Sequence, residues 1–256
     1  MTRDGNNMVA FNYDDFYEKI GRENGWDFSD INVTSEGMTW RFYDEVKRIC
    51  KPENIILDIG TGGGEAVLDI ASSVTLVIGI DLSSGMIETA RRNVLNSNVS
   101  NTRFIQMNAE KLQFPNRFFD VVSSHHSPFN PQEVARVLND QGTFLTQQVS
   151  EDDKLNIKTF FNRGQSYGEK DGTLKENYVD ALNNAGFSEV KVFDYDAAEY
   201  YSRPEDLIFL LTHTPIIPDF GETNADFEML EKFIQKNETE KGIMTNSKRF
   251  MIVANM

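Results

Sequence analysis

The chain has 256 residues, 39% hydrophobic and 25% charged, a balance that suits one large α/β domain with room for a small inserted cap. Its 40 acidic side chains outnumber 25 basic ones, and the resulting net charge of −15 repels polyanions and argues against a nucleic-acid partner. No apolar run approaches the roughly 18 residues that span a membrane. The stretch Met1 to Asn7 carries no signal-peptide core, and the lone Cys50 cannot form an internal disulfide, so the expectation is a protein of the reducing cytoplasm.

In chain order, residues 1–34 mix aromatic and polar side chains, with a short helix expected from Asp14 to Gly21. A second helix is predicted from Ser35, as N-cap, to Cys50, because Met38, Phe42, Val46 and Ile49 recur at helical spacing and Pro52 stops the run. Residues 1–50 therefore read as an N-terminal helical lid, or as helices packed on a sheet. The core is expected in 51–194 and 247–256. Its first strand, Asn54 to Ile59, runs into Gly60-Thr61-Gly62-Gly63-Gly64, a turn in which glycine permits positive φ and close approach of a ligand. The helix behind that turn offers unpaired N–H groups.

The second strand, Val74 to Ile80, ends in Asp81, and an acidic residue at the tip of the next parallel strand has the acceptor capacity for two ribose hydroxyls. A helix follows through Leu95, then a strand at Thr102–Met107, the stretch Asn108-Ala109-Glu110, and a strand at Phe118–Ser124. His125 and His126 come next, before a helix at Pro131–Leu138 and a fifth strand at Thr143–Val149. Helices are predicted at Leu155–Phe161 and Thr173–Ala185, strands at Glu189–Asp194 and Lys248–Ala254. Residues 195–246 between those last strands exceed what a hairpin needs and read as an inserted cap over a substrate pocket, with Tyr200, Tyr201 and a helix ending near His213. The pairs Arg91-Arg92 and Lys248-Arg249 read as helix-surface or strand-edge charges.

The spacing Asp58-x-Gly60-x-Gly62-x-Gly64 is not the dinucleotide fingerprint, which needs G-x-G-x-x-G where this chain has Glu65. It resembles the glycine motif of the class I S-adenosylmethionine-dependent methyltransferases. Gly79-Ile80-Asp81-Leu82-Ser83 with Met86, the Asn108-Ala109-Glu110 stretch, Phe119-Asp120-Val121-Val122 and Arg136-Val137-Leu138 with its turn follow in that family's order over residues 54–149. The resemblance implies a Rossmann-like, doubly wound sheet of seven strands in the order 3-2-1-4-5-7-6, the last antiparallel. It also implies S-adenosylmethionine as cofactor, held by Asp58, Gly60, Thr61, Gly62, Gly64, Asp81, Leu82, Met86, Asn108, Ala109, Glu110 and Ser124. Asn108 stands where the family often has Asp, and its side-chain oxygen keeps an acceptor for the adenine amino group.

Methyl transfer from a sulfonium needs in-line positioning and exclusion of water, and a base only where the acceptor must lose a proton. His125 and His126, at the carboxyl edge of the fourth strand, are the candidate bases, and one of Gln147 and Gln148 could reach a substrate. One cysteine and three histidines without ligand spacing do not make a zinc site, and no G-x-S-x-G elbow is present. The expectation is a methyltransferase acting on a small molecule. An RNA or protein methyltransferase on the same fold, or a non-catalytic cofactor-binding regulator, stays open beside it.

Overall fold

The computed structural model describes residues 18–19 and 31–256. Of the helix expected over Asp14–Gly21, Glu18 and Lys19 are helical and the rest lies outside the described residues, as does most of the expected N-terminal lid. The described elements run β1 (Val33–Glu36), α1 (Phe42–Ile49), β2 (Ile55–Ile59), α2 (Glu65–Ala71), β3 (Leu76–Asp81), α3 (Ser84–Asn96), β4 (Thr102–Gln106) and β5 (Phe119–His125). They continue with α4 (Pro131–Val137), β6 (Leu138–Val149), α5 (Leu155–Phe161), α6 (Thr173–Asn184), β7 (Glu189–Tyr201), α7 (Pro204–His213), α8 (Asn224–Asn237), β8 (Glu238–Thr239) and β9 (Gly242–Asn255).

The order β4-β3-β2-β5-β6-β9-β7 is the expected 3-2-1-4-5-7-6 arrangement, with β4 to β6 parallel and β9 antiparallel to both neighbours. The count of seven strands needs correction. The sheet has nine, because β1 adds to β7 at one edge and β8 pairs with β9. β1 lies in the stretch expected to open a helix at Ser35. All four of its residues are exposed, so no alternation of buried side chains marks it, and the helix begins only at Phe42. β2 and β3, by contrast, are buried almost throughout, as strands covered on both faces must be.

Two apolar layers sandwich the sheet. On one side Phe42 and Val46 of α1 pack with Val67, Ile70, Ile87 and Ala90 of α2 and α3. On the other, Val134 and Val137 of α4 and Leu182 of α6 pack with Phe129, Phe144 and Phe187. A third apolar cluster stands apart from both. It joins Ile157 of α5, Leu207 and Leu211 of α7, Leu230 and Phe233 of α8, and the far ends of β7 and β9 at Tyr201 and Ile243. β7 and β9 pair without a break from Glu189↔Asn255 to Tyr201↔Ile243, so the strands run well into the stretch expected as an insertion. Residues 202–241 are what remains between them.

Candidate functional site

β2 carries Asp58 into the protein interior, where its side chain is fully buried. Ser123 Oγ, on the neighbouring strand, donates to Asp58 Oδ1 at 2.6 Å, and the Tyr43 hydroxyl of α1 stands 3.4 Å from both carboxylate oxygens. Burial pushes the carboxyl up to about 6, against the pull of the Ser123, Thr61 and Tyr43 hydroxyls and with a further push from Asp81. Burial and the same carboxylate hold the Tyr43 phenol well above its ordinary range.

The turn after β2 places Gly60, Gly62 and Gly64 at φ of +70°, +56° and +77°, which explains three of the four glycines in positions 60–64. At Gly64 a side chain would also run into the Phe104 ring. The Gly60 and Thr61 N–H groups donate to the Ile80 carbonyl at 2.9 and 3.0 Å, tying the turn to β3. Thr61 is buried on the same turn, and its hydroxyl helps to hold down the pKa of the Asp58 carboxyl.

Asp81 ends β3 and holds two loops together. Its Oδ2 accepts from Gly62 N at 3.0 Å and its Oδ1 from Ser83 N at 2.9 Å. A carboxylate has about four acceptor positions, so capacity stays open for a ligand. Burial raises its pKa while the Ser83, Gly62 and Leu82 N–H groups pull the other way. Asp58, Gly60, Thr61, Gly62, Gly64 and Asp81 are thereby gathered at the ends of two adjacent parallel strands, the place where ligands bind in open α/β sheets.

The other residues expected at a cofactor differ in setting. Leu82 is half exposed beside Asp81, and Met86 is buried on α3, its N–H capped by Ser83 Oγ at 3.2 Å. Asn108 Oδ1 accepts from Glu110 N at 2.8 Å, which takes one lone pair of the oxygen expected to meet adenine. The Glu110 carboxylate lies 3.5 Å from Asn130 Nδ2, at the start of α4, and Ala109 packs against the main core. Ser124 is buried and donates to the Ser127 carbonyl at 2.9 Å.

His125 closes β5 and His126 follows at φ +56°, held by its N–H to the Gln147 carbonyl at 2.8 Å. The two rings stack 4.0 Å apart, and Phe42 stacks on the far side of His125 at 4.9 Å. Gln147, beside His125 in register on β6, sends its amide nitrogen to His125 Nε2 at 2.9 Å and His126 Nε2 at 3.0 Å. Its amide oxygen accepts from Trp40 Nε1 at 2.7 Å. Burial, and secondarily the Arg249 guanidinium, lower the His125 pKa to about 3. Burial, His125 and Arg249 drive His126 well down too, so both rings are neutral at pH 7.

A group of charges continues from this wall toward β7 and β9. Arg249, in register with Val149 and Tyr195, donates through Nη1 to Asp153 and to the Lys248 carbonyl. Lys154 Nζ meets Glu199 Oε2 at 2.5 Å, and the Tyr201 hydroxyl donates to the same oxygen at 2.8 Å. Burial would raise the Glu199 carboxyl, but Lys154 outweighs it, with help from Arg249 and Tyr201, and holds it at about 2. Arg249 is thus no strand-edge charge, and Tyr43, Trp40, Lys154 and Glu199 join the site without having been marked in the sequence. The one available signal was a cation, Arg249, directly before the apolar run Phe250 to Ala254.

Known proteins resemble this chain in part of its sequence and in its fold. Residues 56–146 match the family model described as a methyltransferase domain. The chain is 36% identical over 103 residues to the uncharacterized methyltransferase YcgJ of Bacillus subtilis, covering 38% of this chain and 41% of that one. It is 34% identical over 111 residues to the demethylmenaquinone methyltransferase of Symbiobacterium thermophilum, covering 39% and 44%. The chain therefore spans less than half the length of these curated relatives. The crystal structure of YcgJ superposes with a TM-score of 0.57 at 20% identity, over 83% of this chain and 97% of that one. A Haemonchus contortus phosphoethanolamine N-methyltransferase, solved with phosphomonomethylethanolamine and S-adenosylhomocysteine, superposes at 0.54 and 20% identity over 86% and 54%. At these identities the superpositions speak for the fold.

Proposed function

Residues 56–146 belong to the methyltransferase-domain family and lie on the class I S-adenosylmethionine-dependent methyltransferase fold, and from that premise we propose that the protein transfers a methyl group from S-adenosylmethionine to a small-molecule acceptor. The observation that carries the reading is the Asp81 carboxylate, which fastens Gly62 and Ser83 at the end of β3 while keeping acceptor capacity for a ligand, beside the glycine turn. These residues fit the cofactor. Asp81 would accept from the ribose hydroxyls, the glycine turn would let the backbone come close against the amino-acid end, and Asp58 would place a negative charge behind a cationic ligand. Exposed Leu82 would lie against the adenine and Asn108 at its edge. When bound, S-adenosylmethionine supplies a methyl group activated by its sulfonium.

The chain's own residues then position the acceptor and keep water out. Trp40, Phe42 and Tyr43 of the α1 region form an aromatic wall over His125 and Tyr195, with ring centroids 4.6 to 5.3 Å apart at Trp40–Tyr195, Phe42–His125 and Tyr43–His125. Residues 202–241, packed in the third apolar cluster with α5, would serve as the cap on the acceptor side. A small acceptor is supported by the excess of acidic residues, and by the Symbiobacterium relative, whose name gives demethylmenaquinone as its substrate.

The test incubates the full chain with methyl-labelled S-adenosylmethionine and, separately, with a small-molecule extract, total RNA and a protein extract. Label should enter the small-molecule fraction alone and be lost with Asp81→Ala. Transfer into RNA or protein would overturn the acceptor class, and no transfer in any fraction would favour a non-catalytic binder.

A further inference from the structure

The amide of Gln147 decides where the protons of two histidines sit. The Trp40 indole nitrogen is a donor only, so the Gln147 atom facing it at 2.7 Å must be the oxygen. The Gln147 NH₂ group is then the donor toward both His125 Nε2 and His126 Nε2, at 2.9 and 3.0 Å. A neutral imidazole has one donor nitrogen and one acceptor. With both Nε2 atoms accepting, each ring carries its proton on Nδ1, and neither Nδ1 makes a hydrogen bond among the described residues.

This leaves neither ring a free lone pair. The Nε2 pair is engaged by Gln147 and the Nδ1 site already bears hydrogen, so a base role for either histidine requires breaking the Gln147 contact first. What the rings offer is two N–H donors on half-buried side chains at the carboxyl edge of β5. Burial and the Arg249 cation keep them neutral, as a donor pair requires. Arg249 stands nearby, its charge largely offset by its ion pair with Asp153. Its Nη1 serves Asp153 and the Lys248 carbonyl, while Nε and Nη2 make no hydrogen bond among the described residues.

We propose that His125 and His126 are hydrogen-bond donors to a negatively charged oxygen of the methyl acceptor, with Gln147 and Trp40 as the positioning residues that fix their tautomers, so that the acceptor is an acid carrying a carboxylate, phenolate or enolate oxygen. The proposal rests on the methyltransferase reading and narrows its acceptor class. Neutral donors aimed at an anionic oxygen stabilise it without taking a proton from it. The acceptor must therefore arrive ionised or lose its proton to solvent.

Nitrogen-15 NMR on the full chain, labelled at histidine, tests this directly, since only three histidines are present. At neutral pH, with S-adenosylhomocysteine added, His125 and His126 should both show a protonated Nδ1 and an unprotonated Nε2. Benzoate should shift both Nδ1 signals and bind roughly tenfold tighter than benzylammonium, about 1.4 kcal/mol, with neutral benzamide between. Gln147→Leu should release the tautomers and remove the preference for benzoate. A proton on Nε2, an imidazolium at neutral pH, benzoate that leaves both signals unmoved, or benzylammonium binding as well as benzoate would each overturn the proposal. The wild-type tautomers decide it even if the Gln147 variant does not fold. Failure of S-adenosylhomocysteine to bind would instead strike the methyltransferase reading, and the tautomers would still be read in its absence.

Discussion

Replacing Asp58 by Asn should make the free protein more stable and the cofactor complex weaker. The Asp58 carboxyl is fully buried and its pKa is raised from 3.8 to about 6. Ionising it in the fold therefore costs about 3 kcal/mol relative to the unfolded chain. Below about pH 3 the group is protonated in both states and the cost is absent. As pH rises, the unfolded carboxyl ionises first, stability falls, and the full cost is in place above about pH 6. Asn has the same shape, its oxygen can keep the 2.6 Å bond from Ser123, and its NH₂ can donate to the Tyr43 hydroxyl. Urea unfolding should show Asp58→Asn gaining about 3 kcal/mol on wild type between pH 4 and pH 8. Calorimetry at pH 8 should show S-adenosylmethionine bound about tenfold more weakly, because a charge facing a cationic ligand has gone. A destabilisation of equal size at both pH values, with cofactor affinity unchanged, would mean that the carboxylate is structural and the reasoning fails.

Lys154→Met should destabilise the fold by about 3–5 kcal/mol, because it leaves the buried Glu199 without its cation. Because the Glu199 pKa is held at about 2 against an ordinary 4.5, the pairing's stabilisation is full above about pH 4.5 and fades toward pH 2, so a penalty unchanged from pH 7 to pH 2 would refute the pairing. Joining Tyr201 to Gly242 by a short turn, with Ile157 and Phe161 made polar, should give a protein that folds and binds S-adenosylmethionine but methylates nothing. Retained turnover would show that residues 202–241 are not the acceptor's cover. From the net charge of −15, electrophoretic shift at physiological salt should detect no RNA or DNA complex, and a tight, steeply salt-dependent one would contradict the small-molecule reading.

The parts of the fold that were legible in the sequence are those where local chemistry and burial agree. Ile55–Ile59 and Leu76–Asp81 are apolar strands bounded by turn residues, and their order with Phe119–His125 carried the sheet topology. β1 was hidden because exposed strands have no periodic face, and its helix-like apolar spacing at Met38 and Phe42 belongs to a turn and a later helix. The lengths of β7 and β9 were hidden for a similar reason. Their outer halves carry Tyr, Glu, Asn and Lys, whose pairing with each other and with β1 is set by tertiary context.

At the site, the glycine turn could be marked because its positive φ values demand glycine, and Asp58 and Asp81 because each puts a carboxylate at or near the end of a parallel strand. The histidines were visible, but their role was not. It depends on Gln147 and on Trp40, 107 residues away from it in the chain, and no local pattern records that contact. Arg249 was misread because a cation next to an apolar run resembles a strand-edge charge until its partner, Asp153, is placed beside it.

Calorimetric titration of S-adenosylmethionine into the full chain and its Asp81→Ala variant tests the central claim most directly. Wild type should bind at one site, and the variant should lose about 2–4 kcal/mol with the charge-assisted ribose bonds, while circular dichroism confirms that it is folded. No binding by wild type, or equal affinity in a folded Asp81→Ala, would contradict the placement of the cofactor at the ends of β2 and β3.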